Sequence, residues 1–220
     1  MTTKLLAFHG DPKIKQKYLD RVRAHATADE IIQGKYWENG KGCAVGCTIH
    51  GSDHEKYETK LGIPSQVAYL EDSIFEGLPL DKAKLWPEKF LKAIKPGADL
   101  SKVFPRFVIW MLIDPKDGVW QYAFEDGKSA IKGIADLYER RLRDDEPERD
   151  EWAERAAEAE RAERAARAAW AAEAERAARA AGAAGAAEAA RAARAAGAAR
   201  AARAAECQSK KLLELLREVK

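Results

Sequence analysis

Cys43, Cys47 and His50 stand four and three residues apart inside the segment Tyr36-Trp-Glu-Asn-Gly-Lys-Gly-Cys-Ala-Val-Gly-Cys-Thr-Ile-His50. A helix beginning at Cys43 would carry all three side chains on one face. A glycine-rich loop feeding a helix N-terminus favours a thiolate there, because free backbone N–H groups and the helix dipole stabilise negative charge. Cys43 has that position, so the spacing predicts a nucleophilic thiol. It would need a general base, and His50, His25 and His54 are the imidazoles at hand, with Asp29 one turn beyond His25 to orient it. The expected catalytic set is Cys43, His50, His25 and Asp29. The competing expectation for the same segment is core packing, since cysteine is a small apolar side chain that fills interiors.

No metal and no cofactor is expected. Cys-x₃-Cys-x₂-His crowds its donors onto one helix and lacks the distant second pair of a structural zinc site. His9 beside Gly10-Asp11 reads as a helix-capping neighbour. Tyr36, Trp37, Trp86, Trp110 and Trp120 read as core aromatics, because no basic stripe interleaves them as nucleic-acid binding would require.

The elements that must hold these residues are punctuated clearly. Asp11-Pro12 offers an N-cap and a first-turn proline, and Ile14, Tyr18, Val22, His25 and Ile32 mark one apolar face of a helix running to Gly34. Cys43 to His50 forms a short helix ending at Gly51. Ser52-Asp-His-Glu55 has the form of a capping box and starts another, closed by Gly62-Ile-Pro64. Helices are expected from Ser65 to Glu76, from Pro87 to Lys95, as a buried apolar run from Phe107 to Ile113, and from Ser129 to Arg143 with Ile131, Ile134, Leu137 and Tyr138 inward. No alternating strand pattern appears.

From Ala153 to Glu206 the chain counts in eighteen unslipped triplets, each opening with alanine. Only a 3₁₀-helix eclipses residues i and i+3, so the phase favours a 3₁₀ tail with two straight Ala edges and one edge of Arg, Glu, Gly and Trp. The alternative is an α-helix, which the high propensities of Ala, Arg and Glu support. The expected layout is mainly α: a multi-helix globular domain over 1–143, a charged linker over 144–152, the repeat helix over 153–206, and a short amphipathic α-helix over 207–220.

Composition narrows the function. Net charge is +2 from 38 basic and 36 acidic residues, so no whole-chain field draws the protein to nucleic acid or anionic lipid. No apolar run reaches the roughly 20 residues of a membrane span, and the first nine residues hold no signal-peptide core, so a cytoplasmic location is expected. Three cysteines do not make a secreted disulfide framework.

The Lys35–His50 segment, the Lys95-Pro-Gly-Ala-Asp-Leu100 turn, the Ala-triplet tail and the Leu-rich end together resemble a group of uncharacterised proteins from phages and bacteria. The resemblance implies a phage-borne accessory protein and carries over no activity. The expected function is an interaction or assembly module that uses its long Ala-rich helix to meet a protein partner or a second copy. A thiol-dependent enzyme built on Cys43 is the alternative.

Overall fold

The structure is a computed structural model that describes residues 4–219, with side chains described outside 168–170 and 172–193. Residues 1–3, part of the N-terminal stretch read above, lie outside it. The described residues are mainly helical and fall into two compact units, one made of residues 1–104 with 201–220 and the other of residues 105–200.

In the first unit, α1 (Pro12–Thr27) starts where expected: the Asp11 side chain accepts from the Lys13 N–H at 2.8 Å, and Pro12 occupies the first turn. It stops seven residues before Gly34. Asp29 is left-handed at φ 55°, the Glu30 N–H bonds back to the His25 carbonyl at 3.0 Å, and the Asp29 N–H reaches Ala26 at 3.3 Å. That pair of bonds is a Schellman stop, here built on aspartate instead of glycine. Its consequence is local: the chain reverses and lays Glu30 against the last turn of α1.

Two short antiparallel strands follow, β1 (Trp37–Glu38) and β2 (Lys41–Gly42), paired Trp37 to Gly42 and Glu38 to Lys41. Asn39 and Gly40 both have positive φ, which is the two-residue type I′ turn that Asn-Gly favours. The sequence pattern predicted no strand here. The hairpin delivers Cys43 to the start of α2 (Ala44–Ile49), which ends at His50 in the left-handed region, one residue before Gly51.

Four further helices complete the unit before residue 100: α3 (Lys56–Leu61), α4 (Ser65–Gly77), α5 (Leu80–Ala83) and α6 (Trp86–Ala93). α2 packs on α1, α4 and α6, and α4 also meets α3 and α6. Tyr57, Leu61, Val67, Phe75, Trp86, Phe90 and Leu91 are buried within this arrangement, and so are Leu212, Leu215 and Leu216 from the chain's end.

α7 (Val103–Ile113) crosses the boundary between the units and is a helix, as its neighbours suggested. The second unit contains most of it, a 3₁₀ turn at Val119–Tyr122, α8 (Glu125–Leu142) and the greater part of α9 (Arg149–Glu218). The charged linker is pinned: Arg140 pairs with Asp145 at 2.8 Å and with Glu151, and Arg141 with Glu146 at 3.0 Å. α8 and α9 come close at Gly133, where a Cβ would lie 2.9 Å from the Arg155 side chain.

The 3₁₀ expectation for the tail is corrected: residues 149–218 form one α-helix, and the segment 207–218, expected as a separate helix, is its last turns. Propensity decides the case. A 3₁₀ bond is poorer than an α bond, and Ala, Arg and Glu are among the residues that favour α most, so over some fifty residues the local preference outweighs any order in the phase. In the α form each triplet advances the X side chain by about 300°, so the charged positions spiral and no straight Ala edge exists. The single outward edge expected for the X residues from 172 to 193 lies outside the described side chains.

Candidate functional site

The structure separates the expected catalytic residues into two places. His25 and His50 meet: their Nε2 atoms are 2.9 Å apart. The Nδ1 of His25 lies 2.6 Å from a Glu30 oxygen, so the orienting carboxylate is Glu30, placed there by the helix stop, and not Asp29. Asp29 turns away to pair with Lys84. With Nδ1–H given to Glu30, the Nε2 of His25 accepts from His50, which makes a carboxylate–imidazole–imidazole line ending at an exposed ring. Trp37 stacks on His50 with centroids 4.7 Å apart and meets His25 edge-on. Burial, then the positive charges of Arg21 and Lys60, hold His50 below its ordinary imidazole range. Neutral imidazole is the form such a line requires.

Cys43 lies at the other end of α2. It is the N-cap, its sulfur accepting from the Gly46 N–H at 3.5 Å, and it is fully buried. Burial and then the neighbouring Asp72 carboxylate push the thiol far above its ordinary range, against the weaker pull of the Gly46 N–H. The helix is too short and the site too dry for the dipole to win. Burial likewise pushes Cys47 up to about 12. The side chains gathered with Cys43 are Asp72 and Glu76, and no histidine belongs to that group. In the folded chain both cysteines should therefore alkylate at pH 8 at least ~100-fold more slowly than the partly exposed Cys207, since each pH unit of upward shift removes about tenfold of the thiolate. Mass mapping after a timed iodoacetamide pulse checks this, and early labelling of Cys43 would restore the nucleophile.

Around Cys43 the polar groups are dense. Asp72, Cys43 and Glu76 offer ligand atoms within 4.8 Å of one another. His54 is 5% exposed, approaches Asp72 Oδ2 at 3.2 Å, and stacks on Tyr69 with centroids 4.2 Å apart. Glu71 is fully buried; the Tyr57 hydroxyl donates to it at 2.7 Å. Burial pushes the Glu71 carboxyl well above the usual range, with Tyr57 pulling it back and Asp72 adding to the rise. A small cleft of about 170 Å³, lined by Gly34, Lys35, Tyr36, Asp72 and Glu76, reaches this group from the surface.

Glu30, Asp72, Glu71 and Glu76 were absent from the sequence-based set. A signal for two of them exists: Val67, Ala68, Ile74 and Phe75 form the inner stripe of α4, and Glu71 and Asp72 fall on that stripe. Charged residues on an apolar face announce a buried polar group.

The second unit carries a feature of another kind. Tyr122 is 80% and Phe124 62% exposed, with Val119 and Trp120 also open to solvent. Tyr122, Phe124 and Ile131 wall a cleft of about 510 Å³ whose floor includes Ala159, Ala162 and Ala166 of α9. Comparison of the chain with protein-family models, curated proteins and solved structures finds no match, so geometry alone carries the functional assignment.

Proposed function

We propose that the protein is a non-enzymatic interaction module, cytoplasmic and accessory in role, whose second unit receives an amphipathic helix of a protein partner on its Ala-rich helix. The observation that carries this is the apolar cleft with Tyr122 and Phe124 standing open beside it. Aromatic side chains left in water next to a concave apolar surface cost hydration and are the usual anchors of an interface. Small alanines on the floor let a helix backbone approach closely, as the helix-in-groove mode requires.

Charge selects the occupant. Asp126 and Glu163 line the cleft, and Glu158 and Arg161 the neighbouring hollow; Glu158 is paired with Arg155 and Glu163 with Arg167, which leaves Asp126, among the described residues, as the acidic group of the rim without an ion-pair partner. An apolar stripe with basic flanks is therefore the complementary partner. Among the described residues no helix is long and apolar enough to cross a membrane.

The test uses two designed peptides with the same leucine stripe, one flanked by lysines and one by glutamates. The lysine peptide should bind the full chain, the glutamate peptide should not, and the double substitution Tyr122→Ser with Phe124→Ser should weaken binding by at least ~10-fold. Self-association abolished by the same substitutions would make a second copy the occupant. Absence of both kinds of binding overturns the proposal.

A further inference from the structure

α4 sets three carboxyl groups, Glu71, Asp72 and Glu76, within six residues, and its inner stripe takes the first two into the interior. Buried acids of this kind are ordinarily answered by arginine or lysine. Here other groups answer them: Tyr57 on Glu71, His54 on Asp72, and the Gly34 N–H on Glu76 at 2.9 Å. Lys35, on the wall of the cleft, is paired with Glu38 at 2.6 Å. Among the described residues two buried oxygens, Glu71 Oε1 and Asp72 Oδ1, have no hydrogen-bond partner, and Asp72 as a residue is only 8% exposed.

We propose that Cys43 Sγ, one Asp72 oxygen and one Glu76 oxygen bind a divalent transition metal of the zinc class, with a fourth position opening on the small cleft beside Tyr36. Three features support it independently. The donor atoms lie within 4.8 Å of one another, so that closing by about 1 Å brings them to the roughly 3.5 Å separations a tetrahedral ion needs with metal–sulfur at about 2.3 Å and metal–oxygen at about 2.1 Å. The thiol sets the class, because sulfur with two carboxylates suits a borderline ion such as Zn²⁺ better than Mg²⁺ or Ca²⁺. The outer groups are in place: His54 holds the second oxygen of Asp72 and Gly34 holds Glu76, the supporting bonds that orient metal ligands.

The sequence led to no expected metal, and its helical Cys43–Cys47–His50 spacing is not the donor set proposed here. Cys47 gives its thiol to the Gly42 carbonyl at 3.3 Å, and His50 belongs with His25. The proposed site concerns the first unit and stands apart from partner binding by the second. Three ligands and one open position describe a site that can take a small ligand or water in the cleft, rather than a closed structural centre.

The experiment titrates the full-length chain, stripped with chelator, with Co²⁺ and then with competing Zn²⁺. One cobalt per chain should bind and give a thiolate-to-cobalt absorption band that zinc removes. Cys43→Ser, which keeps an N-cap oxygen, should abolish the band, while Cys47→Ser and Cys207→Ser should keep it. Glu76→Gln should lower zinc affinity at least ~10-fold, and His54→Gln, a positioning change, by ~10-fold or more. Glu76 is exposed, so its variant remains informative if changes at the buried Asp72 impair folding. A cobalt complex lacking the band, a band surviving Cys43→Ser, or zinc affinity unmoved by Glu76→Gln overturns the proposal.

Discussion

Gly46→Ala should unfold the first unit or lower its stability by about 3 kcal/mol or more, although alanine is the better helix former by about 1 kcal/mol. The reason is one atom. A Cβ on Gly46 would lie 1.6 Å from the Tyr36 carbonyl oxygen, and one on Gly42 would lie 2.1 Å from the same oxygen. Backbone, unlike a long side chain, cannot step aside, and the Cys43 N–H bonds the Lys35 carbonyl at 2.8 Å in the same strand of chain. The two glycines of the Gly-x-x-x-Gly spacing thus exist so that Tyr36 can lie against α2. Gly197→Ala is the control: nothing lies within 4 Å of a Cβ there, so the helix-propensity gain of about 1 kcal/mol should appear undiminished. Thermal unfolding followed by near-UV circular dichroism measures both, and a Gly46→Ala protein as stable as the parent would mean that Tyr36 does not pack as described. Because Tyr36 also walls the cleft beside Asp72 and Glu76, a tolerated variant should still be impaired in metal binding.

How far the sequence disclosed this molecule depends on whether its signals were local. Asp11-Pro12, Gly62 and Gly77 act within one turn of chain, and each marks a helix end close to where the structure has it. The stop of α1 failed as a local signal because aspartate took the left-handed position that glycine usually marks. Asn39-Gly40 is a local signal of another kind: two-residue strands carry too little alternation to register, while the type I′ dipeptide marks the turn by itself. Phase misled in the tail. A period of three in sequence has no necessary counterpart in a helix whose winding is set by backbone hydrogen bonds.

The candidate site divides the same way. Cys43 as the first residue of a helix was legible, and the structure makes it the N-cap. What the sequence did not reveal was the solvent around it, since the burial that raises its thiol is imposed by residues far along the chain. His25 and His50, twenty-five residues apart, come together through a helix stop and a left-handed C-cap, neither of which the periodicity predicts. Asp72 and Glu76 became visible as partners of Cys43 only once α2 lay against α4.

Replacing Leu212 and Leu216 together by alanine should cost about 4 kcal/mol or more and unfold the first unit while leaving the second helical. Both side chains are fully buried, and a buried Leu→Ala change costs about 2–5 kcal/mol depending on how the cavity collapses. Hydrophobic burial is what holds this end of α9 in the first unit. Joining the ends of roughly a hundred intervening residues, were they flexible, would cost on the order of 4 kcal/mol, whereas burying Leu212, Leu215 and Leu216 gains roughly 1.5–3 kcal/mol each. The leucines therefore exceed the closure cost by a margin that two truncations erase. The Lys82–Glu206 pair at 2.6 Å is half open to water and adds at most about 1 kcal/mol. Ala205 is the finer contact, lying where a side chain on Gly77 would stand at 2.9 Å, so helix and helix meet there with no space to spare. Emission of the buried Trp86, isolated by replacing the other five tryptophans with phenylalanine, reports the first unit, and helical ellipticity reports α9. A double variant whose Trp86 emission and melting temperature match the parent's would show that the first unit folds without the returning helix.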